Sequence, residues 1–563
     1  MGRPVGPSVG LSAVEAPGRD ATDPLGPFLL PAWAPEDVAR ADAARVEGGA
    51  DLMSVASAAL ATVCLARLRE VRGRAAGARA VLLVGAGDNG GDALLAGALL
   101  RRRGVGVTAL LCAPRHHGPG AEALRRAGGT LLAVDGAAAP DETLDGARED
   151  TGAGAGAPAA GALPPAVARA LAGADLVVDA VLGIGGRGAV RGAALPVLHA
   201  LVDGPRPPSV VACDLPSGLD PADGRARGPV LRADVTVTFG VAKPGLLLPE
   251  AGGLVGELVV VPLGLEPHLP SGPALSRLRV GADPERVADA VAALWPWARR
   301  DADKYSRGVL GVAAGEPAYP GAAVMVARAA AGAGAGMVRL VPPDGAPGLA
   351  ELVLQAVPEV VVQQLAEVGR VQAWVTGPGT SGPEDPRVQH VLTVADEPAV
   401  VDAGALTGLA RALADGTLVR PERLLLTPHA GELDRLLGAL DEPPSSGTGR
   451  WQAARTVAAR TGATVLLKGP ATLVVDPGGR TVVVPGGPPS LGTAGAGDVL
   501  AGIAGTLLAG GLAPRTAGVL AAHVHAVAAA RASGGGGPLR AAAVADALAG
   551  AVAGARARSW DHG

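Results

Sequence analysis

From Ala80 onward the chain alternates a short apolar strand, a turn and a helix, and a second such series begins near Arg279. In the first, AVLLV leads into GAGDNGG and then an alanine- and leucine-rich helix reaching Arg103; VTALLC, DLVVDAVL, SVVACDL, ADVTVTF and GELVVVPL follow. The second runs through GVLGVAAG, a glycine- and alanine-rich helix at 321–336, MVRLV, AWVTGPG, AVVDAG, LLLTPHAGE, TVLLKG and TLVVD. Strands that alternate with helices are built into parallel sheets covered on both faces. Two such series in 563 residues predict two α/β domains. Composition agrees: hydrophobic residues are 48% but aromatics only 2%, so the cores must be made of Val, Leu and Ala. The halves share no residue-level repeat.

The boundaries follow from composition shifts. Residues 1–33 are Pro- and Gly-rich and read as a disordered tail. Residues 34–265 form the first domain, with helical spacing over 36–70 and an Ala/Gly/Pro low-complexity insertion at 136–166. Pro-rich residues 266–278 read as a linker, and 279–555 as the second domain. A net charge of −4 favours neither nucleic acid nor a membrane surface. No apolar run reads as a membrane span and no signal peptide is evident. Cys64, Cys112 and Cys213 fit neither a disulfide framework nor a zinc site, so a cytoplasmic location is expected. Only Lys243, Lys304 and Lys468 stand among 49 basic residues, so each is either a position that wants a compact ammonium or a chance survivor of the arginine bias, and Lys304 fits a phosphate partner and a plain surface position equally.

The stretch Ser490–Gly502, SLGTAGAGDVLAG, opens a helix with small residues. Free N–H groups of Gly495, Ala496 and Gly497 can hold phosphate oxygens there. Asp498 stands at the same place. A carboxylate beside an anion is repelled, so either Asp498 is a base that takes a proton from an attacking hydroxyl, or it only complements the helix dipole. No GxxxxGK[ST] motif occurs.

In the first half Gly85, Gly87 and Gly90 satisfy GxGxxG after a strand, but no acidic residue follows at dinucleotide-fold spacing. Asp88, Asn89 and Asp92 among the glycines suit a hard cation and ribose hydroxyls. Asp179, the loop from Gly183 to Gly188, and Asp214 with Ser217 all sit at the ends of predicted strands, where open sheets bind ligands.

GAGDNGGDA, DAVLGIGGRG, DLPSGLDPADG and TFGVAKPGLLL together resemble the NAD(P)H-hydrate epimerase family. The resemblance implies a Rossmann-like three-layer sandwich and a K⁺ held by Asn89, Asp179 and Ser217. It implies substrate contacts from Asp88, Asn89, Gly90, Gly91 and Asp92, from Gly183, Ile184, Gly185, Gly186, Arg187, Gly188 and Ala189, and from Asp214 as the proton-transferring group. Asp88 departs from the family, which has Asn there; Lys243 is expected to balance the charge of the cluster.

In the second half GAGD is typical of a ribokinase-like α/β domain. KYSRGVLGVAAG, YPGAA, TGPG, TPHAGE, KGPAT and GTAGAGDVLAG resemble the ADP-dependent NAD(P)H-hydrate dehydratase family. The resemblance implies that Ala322, Gly379, His429 and Asp498 line the hydrate pocket. Lys468, Gly469, Pro470, Ala471 and Thr472 would hold the nucleotide, with Gly497 at its phosphates. ADP and Mg²⁺ are then implied, with Asp498 deprotonating the C6 hydroxyl of the hydrate. His429 and Glu432 equally fit a helix start. DAGALT at 402–407 departs from the family: Gly404 replaces a carboxylate and Thr407 an amide.

The expected whole is a bifunctional repair enzyme. It interconverts R and S hydrates of NADH and NADPH (NADHX and NADPHX) and dehydrates the S form with ADP, as a homo-oligomer without nucleic-acid or membrane partners. The rival expectation is a ribokinase-like small-molecule kinase fused to a nucleotide-sensing domain.

Overall fold

The computed structural model describes residues 23–134, 163–186, 188–207, 209–279 and 290–560. Residues 31–274 form one compact unit, and residues 23–30 with 275 onward the other.

The first unit is a seven-stranded, wholly parallel sheet. Its strands lie in the order Thr130–Ala133, Gly106–Leu111, Arg79–Val84, Leu176–Ala180, Val210–Cys213, Val235–Phe239, Glu257–Val261. Side chains alternate across a strand. Ala80, Leu82 and Val84 therefore enter one core with Leu60, Cys64 and Leu68 of the helix Leu52–Arg72. Val81 and Leu83 enter another with Val197, Leu198 and Leu201 of Ala194–Val202. The chain leaves Arg79–Val84 to one side for two strands, then returns to the other side at Leu176–Ala180. That reversal opens a crevice at the carboxyl ends of these two strands.

In the second unit eleven strands line up as Leu29–Ala32, Leu275–Leu278, Thr481–Pro485, Ala471–Val475, Thr464–Leu467, Leu424–Leu426, Ala399–Val401, Ala373–Thr376, Val309–Ala313, Met337–Leu340, Val361–Val362. From Thr464–Leu467 to Val361–Val362 the pairing is parallel. Ala471–Val475 is antiparallel to both its neighbours. Helices Pro320–Gly332 and Ala496–Ala509 pack through small residues: a Cβ added to Gly502 would stand 2.5 Å from the Val326 carbonyl oxygen.

Three expectations change. Residues 23–33 are not tail: Leu25 is fully buried, Gly26–Phe28 is a helical turn and Leu29–Ala32 an edge strand. Nor is the stretch 266–278 all linker, because Leu275–Leu278 is a strand with Leu275 and Leu278 buried. Pro and Gly nearby masked the apolar residues in the sequence. The helix Leu52–Arg72, with 21 residues and a mean hydropathy of 1.4, is long and apolar enough to cross a membrane, against the reading that none was. Its Leu60, Cys64 and Leu68, spaced by four, cover the sheet instead. Residues 1–22, most of the 136–166 insertion, and Arg187 lie outside the described residues.

Candidate active sites

Four adjacent strands of the first unit deliver the first site. After Arg79–Val84 the glycine loop starts the helix Asp88–Arg102. An added Cβ at Gly85 would collide with the Val181 carbonyl, so the loop can cross beside the next strand only as glycine. Asn89 Nδ2 donates to the Cys213 carbonyl at 2.9 Å, tying this helix start to the strand before Asp214.

Asp214 adopts φ +67°, a left-handed conformation that costs a non-glycine residue about 1–3 kcal/mol. The strained turn aims its carboxylate at three donors: Lys243 Nζ at 2.6 Å, Thr238 Oγ1 at 3.1 Å and Ile184 N at 3.2 Å. Lys243 also donates to Thr238 Oγ1 at 2.8 Å and to the Phe239 carbonyl at 3.1 Å. Lys243 is 1% exposed. The expected counter-charge is thus a buried ion pair with the expected proton-transfer group.

Asp179 is fully buried; Ser217 N donates to Oδ2 at 2.8 Å and Ser217 Oγ to Oδ1 at 2.6 Å. Leu182 N in turn donates to Ser217 Oγ at 2.9 Å. Burial raises the Asp179 pKa, against these hydrogen bonds. No Lys, Arg or His pairs with it among the described residues. A buried carboxylate with oxygen neighbours and no counter-charge suits a monovalent cation. Asn89 reaches the same loop: an added Cβ at Gly183 would stand 2.6 Å from its Oδ1.

Two carboxyls sharpen the picture. Asp92 is buried, its pKa pushed up to about 8 by burial first and by Asp88 and Asp214 next, and its Oδ1 has no hydrogen-bond partner. Asp42, on the helix Pro35–Glu47, was missed in the sequence. Its pKa is pushed up to about 6 by burial, with Lys243 opposing and Asp214 and Asp88 adding. The signal that could have found it is a carboxylate four residues after buried Val38, on the apolar face of a helix. Asp88 itself is exposed at the helix start, where its charge meets solvent as well as the cluster. Gly90 and Gly91 are buried in this helix, while Gly183, Ile184, Gly185, Gly186, Gly188 and Ala189 form the facing loop.

The second site again collects strand ends. Gly379 follows Ala373–Thr376, Asp402 follows Ala399–Val401, His429 follows Leu424–Leu426, and Lys468 follows Thr464–Leu467. These four strands are neighbours in the sheet. Lys468 Nζ lies 2.7 Å from Asp402 Oδ1 and 3.8 Å from Glu432 Oε2. Burial lowers its pKa, but Asp402, Glu432 and Asp498 outweigh that and the net direction is upward.

Asp498 sits in the first turn of Ala496–Ala509, capped by Gly495 at φ +85°. Only glycine takes that φ without strain, and the helix start can then face the cleft. An added Cβ on Gly497 would lie 3.6 Å from Lys468 Nζ and 3.9 Å from Asp402 Oδ2, so helix start, ammonium and carboxylate share one spot. The Asp498 pKa is raised to about 6 by burial, then by Asp402, with Lys468 opposing.

Ala322 and Gly379 come together: an added Cβ on Gly379 would be 2.7 Å from the Ala322 Cβ. His429 makes the helix-start contacts that the sequence offered. Nδ1 accepts from Gly431 N at 3.0 Å and Glu432 N at 3.2 Å, and Glu432 Oε2 accepts from His429 N at 2.7 Å. An accepting Nδ1 leaves the proton on Nε2, and the ring is half exposed. Gly469 and Pro470 form an exposed turn into the strand that Ala471 and Thr472 begin. Gly404 packs against the Thr380 carbonyl, with Thr380 Oγ1 2.8 Å from where a Cβ would stand; Thr407 is exposed. No group of three His, Cys, Asp or Glu is gathered for a metal among the described residues. An Mg²⁺ here suits one or two carboxylates completed by nucleotide phosphates.

Known proteins carry the same pairing. A family model described as YjeF-related protein N-terminus matches residues 49–245, and one described as NAD(P)H-hydrate dehydratase matches 310–549. The bifunctional NAD(P)H-hydrate repair enzyme Nnr of Mycobacterium leprae is 40% identical over 423 residues, 74% of this chain and 76% of its own. The NAD(P)H-hydrate epimerase of Clavibacter sepedonicus is 42% identical over 240 residues, 42% of this chain and 90% of its own. Among solved structures, the ADP/ATP-dependent NAD(P)H-hydrate dehydratase from Bacillus subtilis, co-crystallized with ATP/Mg²⁺, is 25% identical. It covers 48% of this chain and 97% of its own, with TM-score 0.41. With one matched model in each half and relatives at this identity over three-quarters of both chains, this chain belongs to the family of bifunctional NAD(P)H-hydrate repair enzymes.

Proposed function

We propose a division of labour within this bifunctional enzyme: the first unit interconverts the R and S hydrates of NADH and NADPH, and the second dehydrates the S hydrate with ADP. Against the rival kinase-and-sensor reading stand the sequence relatives at 40–42% identity, which are named as a bifunctional NAD(P)H-hydrate repair enzyme and an NAD(P)H-hydrate epimerase.

The observation that carries the dehydratase half is the Asp498 carboxyl beside the Lys468 ammonium at a helix start. Asp498 takes the proton of the C6 hydroxyl, which attacks the terminal phosphoryl group of ADP. N–H groups of the helix start and Lys468 hold the phosphate oxygens. AMP leaves, and the hydrate now carries phosphate in place of hydroxyl. Phosphate departs with the C6–O electron pair, and loss of the neighbouring proton restores the dihydropyridine. A base with a pKa near 6 is ionised at neutral pH yet strong enough to assist. Mg²⁺, held by the nucleotide and a carboxylate of the Asp402, Glu432 and Asp498 group, supplies charge neutralisation on the transferring phosphoryl group.

In the first unit Asn89, Asp179 and Ser217 hold K⁺, which supplies the positive charge that buried Asp179 lacks. Asp214 transfers the proton, oriented by Lys243 and Thr238. The loops 88–92, 183–186 and 188–189 flank the substrate. The test is direct: purified protein given ADP and Mg²⁺ is expected to regain dihydronicotinamide absorbance from both separated hydrate epimers, and recovery from neither sinks the proposal.

A further inference from the structure

The helix Pro35–Glu47 buries Val38 and Ala41, and Asp42 lies on that same side, one turn after Val38. A carboxyl at such a position is expected to find donors. Asp42 Oδ1 is buried and has none. The nearest cation by its effect is Lys243, but an ammonium has three N–H donors, and Asp214, Thr238 and Phe239 take them all. Arg45, on the same helix, turns to the Leu263 carbonyl at 3.4 Å. Trp33 N, just ahead of this helix, donates to the Ala242 carbonyl at 3.1 Å, which seats the helix beside Lys243. Asp42 thus keeps an unpartnered oxygen near the Asp214–Lys243 pair, while Asp214 is held by Lys243, Thr238 and Ile184. Two carboxyls in one cleft with such different surroundings divide naturally into a proton donor and a proton acceptor.

We propose that Asp42 is a catalytic residue of the epimerase reaction, the proton donor to the C6 hydroxyl, with Asp214 as the acceptor. This rests on the epimerase reading of the first unit. The Asp42 O–H proton passes to the hydroxyl oxygen. The C6–O bond breaks with its electron pair on the departing water, and the ring-nitrogen lone pair closes a C=N bond. Water then adds to the opposite face, the C=N pair returns to nitrogen, and the water proton goes to Asp214. The enzyme is left with an Asp42 carboxylate and a protonated Asp214, the state that runs the reverse conversion; exchange with solvent at partly exposed Asp42 resets it. No other reactant is needed.

The charged and titratable groups around Asp42 are Asp214 and Lys243 from the strand ends and Asp88 from the glycine-loop helix, with Asp214 and Asp88 also acting on Asp92. Arg45 lies on its own helix, and Glu266 and His268 on the turn packed against that helix. Burial is the leading cause that raises the Asp42 pKa toward neutrality.

The experiment uses the full chain with excess ADP and Mg²⁺, fed separated R or S hydrate. Asp42→Asn is expected to lower kcat on the R hydrate by about 100-fold, the low end for a general acid, with KM on R and turnover of S unchanged. Wild-type R turnover should fall as pH rises through the Asp42 pKa of about 6. Asp42→Asn should lose that limb, whereas Asp42→Glu should keep both the limb and most of the rate. The glutamate variant separates lost chemistry from lost folding. R turnover by Asp42→Asn within about 2-fold of wild type, or an unchanged pH limb, overturns this assignment alone. Wild-type protein that never converts R hydrate faster than buffer overturns the epimerase reading and this inference with it.

Discussion

Each unit places a lysine among carboxylates at the carboxyl ends of parallel strands, but the two lysines are used differently. Lys243 is 1% exposed, and its three donors are all committed to Asp214, Thr238 and Phe239. Lys468 is about one-fifth exposed at the side chain and rests on Asp402, with Glu432 and Asp498 close by. The first lysine is a fixture that orients one carboxylate. The second keeps part of its side chain open beside three carboxylates. An isomerase whose substrate carries away no charge needs rigid geometry, whereas phosphoryl transfer needs a cation that follows the charge as it moves.

The comparison can be broken in order of expected effect. Asp498→Asn should reduce S-hydrate turnover by about 1,000-fold, within the range for a positioned base, and leave the interconversion of R and S by the first unit at the wild-type rate. Turnover of S near the wild-type rate would falsify the role of Asp498.

Next comes the contrast between the lysines. Lys243→Met strands buried Asp214 and should destabilise the first unit by about 3–5 kcal/mol, read by thermal unfolding. Lys468→Met strands buried Asp402 as well, but with the ammonium side chain about one-fifth exposed it should cost less, about 1–3 kcal/mol, and it should also raise the KM for ADP. Equal losses of stability in the two variants would erase the distinction drawn here.

A pH experiment sharpens it further. Asp498 must be ionised to act as base, so S-hydrate turnover should fall as pH drops through about 6. Asp402→Asn removes a charge that helps hold that pKa up, so the limb should move to lower pH; an unmoved limb argues against their coupling. The same raised pKa has a stability consequence. The folded carboxyl resists ionisation while the unfolded one ionises near 3.8, so the unfolded chain binds fewer protons between these values and stability falls as pH rises from about 4 to about 6. Asp498→Asn should therefore raise the unfolding temperature of the second unit at neutral pH, by the equivalent of about 1–2 kcal/mol after allowing for partial exposure. The smallest effect is expected at Thr407→Asn, an exposed change worth about 0.5 kcal/mol at most. Gly404→Asp, by contrast, crowds the Thr380 carbonyl and should cost about 1–3 kcal/mol.

The sequence by itself determined the alternation of strand and helix, the small-residue loops and the residues they carry. Gly85, Gly495, Asp214, Asp498 and Lys468 could be named because glycine turns and charged residues at strand ends are local patterns, written in consecutive positions. Tertiary structure alone decided which charges meet. Lys243 pairs with a residue 29 positions away, and Lys468 with one 66 away. Asp42 joins the first site only because its helix lies against the far end of that sheet. The strands Leu29–Ala32 and Leu275–Leu278, hidden among prolines and glycines, are strands because a neighbouring edge supplies their hydrogen bonds. Burial and through-space charge set the acidities of Asp42, Asp92 and Asp498, and neither quantity exists until distant parts of the chain pack together.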